Sequence, residues 1–163
     1  MIEQTLVLIK PDGVSRGLIG EIIKRFEQRG LKIVGLKLTK VEQDKAKEHY
    51  TEDIAKRRGE IVREKLLQFI TESPVVAMVV EGVNAIENVR KITGETESKS
   101  ALPGTIRGDF SHVSFSYADK KEIAVKNLVH ASSDAEDAKR EIRIWFSIDE
   151  IHDYKRSDDI HLL

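Results

Sequence analysis

One histidine in this sequence is placed where its side chain could do chemistry. His130 lies in the short apolar stretch NLVHAS, residues 127–132, just before a predicted helix start. Ser133 and Glu136 have the spacing of a capping box, which predicts that start. A helix N-terminus offers free N–H groups and a partial positive charge, a setting that favours anions such as phosphate. From these residues alone, His130 could be a packing residue, a metal ligand, a general base or a nucleophile.

The other four histidines stand in polar stretches, where solvated or locally hydrogen-bonded side chains are the better prediction. They are His49, His112, His152 and His161. No two histidines have the i, i+4 spacing of a helical metal site, and the sequence contains neither HExxH nor cysteine. The sequence therefore predicts no metal site built from protein ligands alone.

Composition limits the classes of partner. The 163 residues include 27 basic and 28 acidic side chains, so overall charge gives no reason to expect nucleic acid or an anionic membrane as a partner. The longest apolar run, residues 75–80, is too short to span a bilayer, and the N-terminus lacks a signal-peptide pattern. We expect a soluble, cytoplasmic protein with a single domain over residues 1–163.

The strands and helices that could position His130 can be predicted from the spacing of apolar residues. This spacing switches between a period of two residues, typical of strands, and a period of 3.6 residues, typical of helices. The predicted order is strand, helix, strand, helical hairpin, strand, helix, strand. This order predicts an α+β fold of the ferredoxin-like split βαβ type: a four-stranded antiparallel sheet with helices on one face, plus an inserted helical hairpin. The hairpin helices are predicted at residues 42–50 and 59–70, whereas residues 111–126 could be loop, hairpin or the beginning of the last strand.

Several motifs together resemble one family. The strings KPDGVSRG at residues 10–17, SALPGTIRGDF at 100–110 and NLVHAS at 127–132 resemble nucleoside diphosphate kinases. HY at 49–50, SPVVAMVVEG at 73–82 and RKITGET at 90–96 follow the family in the same order, so the resemblance covers nearly the whole chain.

The resemblance implies a reaction in which the terminal phosphoryl group of a nucleoside triphosphate moves to His130 and then to a nucleoside diphosphate. An unprotonated imidazole nitrogen can attack phosphorus and later leave, which gives a ping-pong mechanism. Phosphoryl transfer also needs positioning and cations near the spreading charge, roles implied for Lys10, Arg90 and Arg107.

Further roles are also implied by the resemblance. Arg107 would contact the γ-phosphate, while Arg90 and Thr96 would hold the β-phosphate. Lys10 would reach the ribose hydroxyls and phosphate, and Asn127 the sugar 3′-hydroxyl. Residues expected to act at the reacting group are the nucleophile His130, Tyr50 beside the phosphoryl group, Glu141 orienting the ring, and Ser132 supporting Glu141.

Mg²⁺ is the implied cofactor, bound through phosphate oxygens and water without a fixed set of protein ligands. Asp134 stands one residue later than the aspartate usual in the family. The implied partners are nucleoside di- and triphosphates and further copies of the chain, in a homo-hexamer or homo-tetramer.

Two stretches depart from the family pattern at the place where the base should bind. The segment between Tyr50 and Ser73 lacks the usual stacking phenylalanine, and extra residues stand between Arg107 and Asn127. Loss of an aromatic platform predicts weak, poorly selective base recognition. In the alternative, the 111–126 segment folds over the base, with Phe115 or Tyr117 as the new platform.

Two other classes of function fit the sequence less well than an enzyme does. A nucleotide-sensing protein that had lost turnover would usually have lost at least one residue of the implied catalytic set, and all are present. An RNA-binding module with this fold would need basic excess and aromatic residues on the sheet, and neither is seen.

Overall fold

The computed structural model describes residues 1–162, which contain a four-stranded sheet in the order β2-β3-β1-β4. Every neighbouring pair of strands is antiparallel. The strands are β1 (Ile2–Ile9), β2 (Lys32–Thr39), β3 (Val75–Val83) and β4 (Val129–Ala131). The predicted α+β fold with a four-stranded antiparallel sheet is confirmed.

Helices connect and cover these strands in the predicted order. They are α1 (Pro11–Ser15), α2 (Ile19–Gln28), α3 (Gln43–His49), α4 (Glu52–Arg58), α5 (Glu60–Thr71), α6 (Ala85–Thr93), α7 (Ile106–Phe110), α8 (Phe115–Lys120), α9 (Ala135–Trp145) and α10 (Asp159–Leu162). Within the described residues, no helix has the length and apolar character needed to cross a membrane.

Helices cover both faces of the sheet, which corrects the expectation of helices on one face only. Alternate residues of β1 point to opposite sides, so Leu6 and Leu8 join one core and Val7 and Ile9 the other. The second core holds the crossover helices α2 and α6. The core that holds Leu6 and Leu8 is closed by α3, α5 and α9, because the inserted hairpin and α9 cover the face that a four-strand, two-helix arrangement leaves open.

The inserted hairpin contains a third helix that the sequence pattern did not predict. α4 lies between α3 and α5 and buries none of its residues, so apolar periodicity could not reveal it. Gly59 separates α4 from α5 with a φ of 94°, a conformation that glycine adopts without a steric penalty. The ambiguous segment 111–126 contains α8, whose N-cap Ser114 accepts a hydrogen bond from the N–H of Tyr117.

Along strand β2, the side chains at every second position do not all point to the same face of the sheet. Its pairing with β3 shifts between Ile33 and Gly35, which is a β-bulge at Val34. Val34 is buried, but Leu36 and Leu38 are 54% and 63% exposed. Val34, Leu36 and Leu38 alternate in the sequence with Gly35, Lys37 and Thr39, but this alternation does not mark one continuous buried face.

Candidate active site

His130 is positioned by the shortest strand of the sheet. It lies on β4 opposite Leu8 of the central strand β1. Beyond it, the N–H of Ser132 donates to the carbonyl of Leu6 at 3.2 Å, and the Ser132 hydroxyl accepts from the N–H of Leu6. Because β1 is buried on both faces, this pairing fixes the backbone on both sides of His130.

Glu141 contacts the histidine ring from α9, which packs on β1. Nε2 of His130 lies 2.9 Å from Oε2 of Glu141, and the Ser132 hydroxyl donates to the same oxygen at 2.7 Å. Glu141 and Ser132 are buried, whereas the His130 side chain is partly exposed. With Nε2 held by the carboxylate, Nδ1 is the ring nitrogen left for a reacting group.

The start of α9 differs from the predicted capping box. Asp134 is the N-cap, and its side chain accepts from the N–H of Asp137. Its second oxygen accepts from the Ser133 hydroxyl. Ser133 and Glu136 therefore do not cap the helix together, because the helix begins one residue later than their spacing indicates.

Lys10 and Asn127 form a buried pair beside the histidine strand. Nζ of Lys10, at the end of β1, donates to Oδ1 of Asn127 at 2.7 Å, and the Asn127 amide donates to the carbonyl of Thr96 at 2.7 Å. Burial, followed by the nearby charge of Arg107, lowers the pKa of Lys10 to about 8. Lys10 therefore holds its proton less strongly than a solvated lysine does until an anion binds beside it.

Arg107 is held by backbone carbonyls from separate parts of the chain. Its guanidinium donates to the carbonyls of Gly94, Asn127 and Val129 at 2.7, 3.2 and 2.8 Å. Burial and the neighbouring charge of Arg90 lower the pKa of Arg107 to about 10, which leaves it charged at neutral pH. The Thr105 hydroxyl accepts from the N–H of Gly108 and caps the helix α7 that carries Arg107.

Tyr50 ends the hairpin helix α3 and is buried. Its hydroxyl has no hydrogen-bond partner within residues 1–162. Burial, with Glu141 and Asp12 nearby, raises the pKa of Tyr50, so the hydroxyl stays neutral and is free to donate to an incoming group.

These side chains line one large cavity of about 1270 Å³. Ser132 and Glu141 stand behind the histidine and are not part of its wall. The predicted residues in the wall are Lys10, Tyr50, Arg90, Thr96, Arg107, Asn127 and His130. The structure therefore brings together every residue that the motifs singled out.

The expected solvated or local role of His49 is wrong. Its side chain is buried, and its ring meets the ring of His130 edge to face, with centroids 4.4 Å apart. Nδ1 of His49 accepts from the indole N–H of Trp145 at 3.3 Å. The polar neighbours of His49 in the sequence mark the outer side of α3, and His49 lies on its inner side.

Asp12 is a second buried polar residue that sequence reasoning missed. Its Oδ2 accepts from the N–H of Leu128 at 3.0 Å and ties α1 to the segment before β4. The only signal was its place in a Pro-Asp-Gly turn, where an aspartate normally bonds within the turn.

The 111–126 segment contributes to the outer wall of the cavity. Phe115, Ile123 and Val125 line it, and the guanidinium of Arg58 lies 5.3 Å from the centre of the Phe115 ring. Tyr117 is 53% exposed and is not part of that wall. Of the two aromatic candidates for a base platform, Phe115 has the suitable position.

One group of potential metal ligands occurs among the described residues: His49, His130 and Glu141, with ligand atoms within 4.8 Å of one another. The direct hydrogen bond between His130 and Glu141 leaves no space for an ion between them. The acidic residues that line the cavity are Glu87, Glu95 and Asp119.

Comparison with known proteins agrees with the motifs. The family model for nucleoside diphosphate kinase matches residues 3–151. A nucleoside diphosphate kinase of Borreliella burgdorferi is 51% identical over 160 residues, covering 98% of this chain and 96% of the relative. One from Pyrococcus abyssi is 52% identical over 157 residues, covering 96% and 92%.

Two solved structures extend this similarity to the fold. A nucleoside-diphosphate kinase from Borrelia burgdorferi, solved as a transition-state mimic with vanadate and ADP, has a TM-score of 0.97 at 51% identity, covering 99% of this chain and 96% of that one. A halophilic enzyme from Halobacterium salinarum in complex with CDP has a TM-score of 0.84 at 40% identity, covering 100% and 99%. The chain therefore belongs to the nucleoside diphosphate kinase family, and the family and enzyme class predicted from its motifs are confirmed.

Proposed function

We propose that this chain, working as a single domain, transfers the terminal phosphoryl group of a nucleoside triphosphate to a nucleoside diphosphate through a phosphohistidine at His130. The observation that carries this proposal is the orientation of the ring. Glu141 holds Nε2, so Nδ1 of a histidine in the cavity wall is the nucleophilic atom.

In the first step, the lone pair of Nδ1 attacks the γ-phosphorus, and the bond from that phosphorus to the β-phosphate oxygen breaks. The nucleoside diphosphate leaves with the electron pair. In the second step, a β-phosphate oxygen of the acceptor attacks phosphorus, and the pair of the N–P bond returns to Nδ1. The phosphorylated ring carries positive charge, which the carboxylate of Glu141, held by Ser132, stabilises.

The cations in the wall bind the polyphosphate. Arg107 contacts the γ-phosphate, and Arg90 with Thr96 holds the β-phosphate. Lys10 and Asn127, already paired with each other, bind the ribose hydroxyls, and Lys10 also reaches phosphate. Tyr50 donates its unpaired hydroxyl beside the moving group. Cations fixed before the substrate arrives stabilise the charge of the transition state without having to reorganise.

Enzymes of this family need a divalent cation, and we propose Mg²⁺. The cavity suits an ion carried by the nucleotide, because its phosphate end offers Lys10, Arg90 and Arg107 rather than converging carboxylates. Asp134 uses both side-chain oxygens within its own turn, and Glu95 is the wall carboxylate near Arg107. Carried in by the nucleotide, the ion would supply neutralisation of the phosphate charge.

Assembly and location are further proposals that rest on family membership. We expect a homo-hexamer or homo-tetramer, and the exposed Leu36 and Leu38 of the edge strand β2 offer apolar surface for contacts between copies. Light scattering combined with size exclusion tests the assembly. We also expect a cytoplasmic location.

His130→Ala tests the proposed function. Incubated with γ-labelled ATP and magnesium, the unchanged chain should form an acid-labile, base-stable protein phosphate and pass the label to GDP. The variant should do neither, while its affinity for ADP stays nearly the same because the phosphate-binding cations are intact. Substantial transfer by the variant would remove His130 from the nucleophile role.

A further inference from the structure

Behind the nucleophile lies a buried pair that the phosphoryl-transfer steps do not use. His49 and Trp145 are both buried, and neither side chain belongs to the cavity wall. Their rings meet edge to face with centroids 5.6 Å apart, and His49 meets His130 in the same way. His49 therefore touches the nucleophile from outside the cavity, and Trp145 touches His49.

The hydrogen bond between them fixes where the His49 proton can be. A neutral imidazole has one donor nitrogen and one acceptor nitrogen. Because the indole N–H of Trp145 donates to Nδ1 of His49, the ring proton must be on Nε2. That Nε2 is buried and has no partner among residues 1–162.

Glu141 is the group that this arrangement affects. Its Oε2 is bonded to His130 and Ser132, and its Oε1 lies 3.8 Å from Nδ1 of His49 and 3.5 Å from Arg140. If Nδ1 of His49 carried a proton, it could bond to Oε1. The carboxylate would then share its charge with His49 instead of stabilising the positive ring of His130.

The charges around His49 also oppose a second proton. His130 on β4, Arg140 on α9 and Lys10 at the end of β1 all face it, and among residues 1–162 Glu141 is the one carboxylate within 4.0 Å of it. Burial, followed by these three groups, holds the pKa of His49 well below its usual range. The hydrogen bond from the indole and the surrounding positive charge thus both oppose a proton on Nδ1 of His49.

We propose that Trp145 is a positioning residue. Its indole N–H donates to Nδ1 of His49, which prevents His49 from bonding to Glu141 and leaves the Glu141 carboxylate to the nucleophile. This role rests on the proposed function of His130. Trp145 touches no reacting atom. It acts through His49, by selecting one tautomer and preventing a competing bond.

Trp145→Phe tests this, since it removes the indole N–H donor and keeps a smaller aromatic ring in the core. We expect kcat for ATP-to-GDP transfer to fall about tenfold, as for other partners that orient an active-site ligand, with KM changed by less than about twofold. The acid limb of the kcat profile should move upward by about one pH unit, because His49 can then take a proton at Nδ1 and pair with Glu141. In a His49→Phe background, the same change should alter kcat by less than about twofold.

Phe146→Leu is the matched control, because Phe146 is a buried aromatic residue of the same core and has no contact with His49 among the described hydrogen bonds or ring pairs. It should lower stability without moving the acid limb. An unchanged kcat and pH profile in Trp145→Phe would overturn the proposal, and so would an equal loss in the His49→Phe background.

A measurement on the unchanged protein covers the case of variants that do not fold. Nitrogen-15 NMR of the histidine rings should show His49 as the Nε2–H tautomer at neutral pH, and a proton on Nδ1 would overturn the proposal. Phosphoenzyme formation by the same sample tests the function of His130 separately. A sample that holds the tautomer but forms no phosphohistidine would contradict the proposed function alone.

Discussion

Replacing Arg107 is the most informative perturbation of the site, because its guanidinium has both a structural and an electrostatic task. It has five N–H donors and gives three to the carbonyls of Gly94, Asn127 and Val129. Two donors remain for phosphate oxygens. The side chain is thus fixed before the nucleotide binds, and it stays charged at neutral pH although burial lowers its pKa to about 10.

Two magnitudes follow from this geometry. Loss of a preorganised contact to transition-state charge costs about 2.7–4 kcal/mol, so Arg107→Ala should lower kcat by roughly a hundredfold to a thousandfold. Each carbonyl that is left buried without a donor costs about 1–3 kcal/mol, so unfolding should also become easier. Arg107→Lys should recover little activity, because one ammonium cannot span these carbonyls and hold two phosphate oxygens.

The assay is the rate of phosphate transfer from ATP to GDP at saturating substrate, together with a urea unfolding curve for each variant. Arg25→Ala is a matched control. Arg25 binds the segment that carries Arg107, at Asp109 and the carbonyl of Gly104, but it is not part of the cavity wall. Its kcat should stay within about threefold of normal. A folded Arg107→Ala or Arg107→Lys protein with kcat within about tenfold of normal would refute the reasoning.

Three further predictions concern the base, a lysine and a buried histidine. Phe115→Ala should lower kcat/KM for GDP more than for CDP, since a stacked base is worth about 1–3 kcal/mol. Tyr117→Ala is the control and should change neither value. Equal use of GDP and CDP by the unchanged chain would instead support weak base recognition. Because the pKa of Lys10 is lowered to about 8, ADP binding at pH 8.5 should take up a proton, measured by calorimetry in two buffers; uptake that persists in Lys10→Gln would contradict the assignment. Because the pKa of His49 is lowered in the folded chain, below about pH 6.5 the unfolded chain binds a proton that the folded chain does not. As the pH is lowered through this range, the free energy of unfolding should decrease by up to about 1.4 kcal/mol per pH unit. His49→Phe should reduce that slope, and an identical slope would argue against a neutral buried ring.

The sequence by itself determined the order of elements and most of the site. Residues 5–9 of β1 are all β-branched or aliphatic, and Gly30, with a φ of 83°, stands just after the end of α2, where a glycine commonly ends a helix. Lys10, Arg107, Asn127 and His130 could be named as candidates because each stands in a short string that resembles a motif of nucleoside diphosphate kinases. The elements could be placed because apolar periodicity and turn residues reflect backbone preferences within a few residues.

The tertiary structure alone decided how those residues support one another. The contact of Glu141 with His130 requires β4 to pair with β1 and α9 to pack beside it. Arg107 is held by carbonyls that no local pattern links to it, and Phe115 reaches the cavity from a segment too polar to show a period. His49 looked solvated because its neighbours are charged, yet it lies against His130 and Trp145. Contacts between residues far apart in sequence arise from the packing of whole elements, and a pattern confined to one element carries no information about its partner.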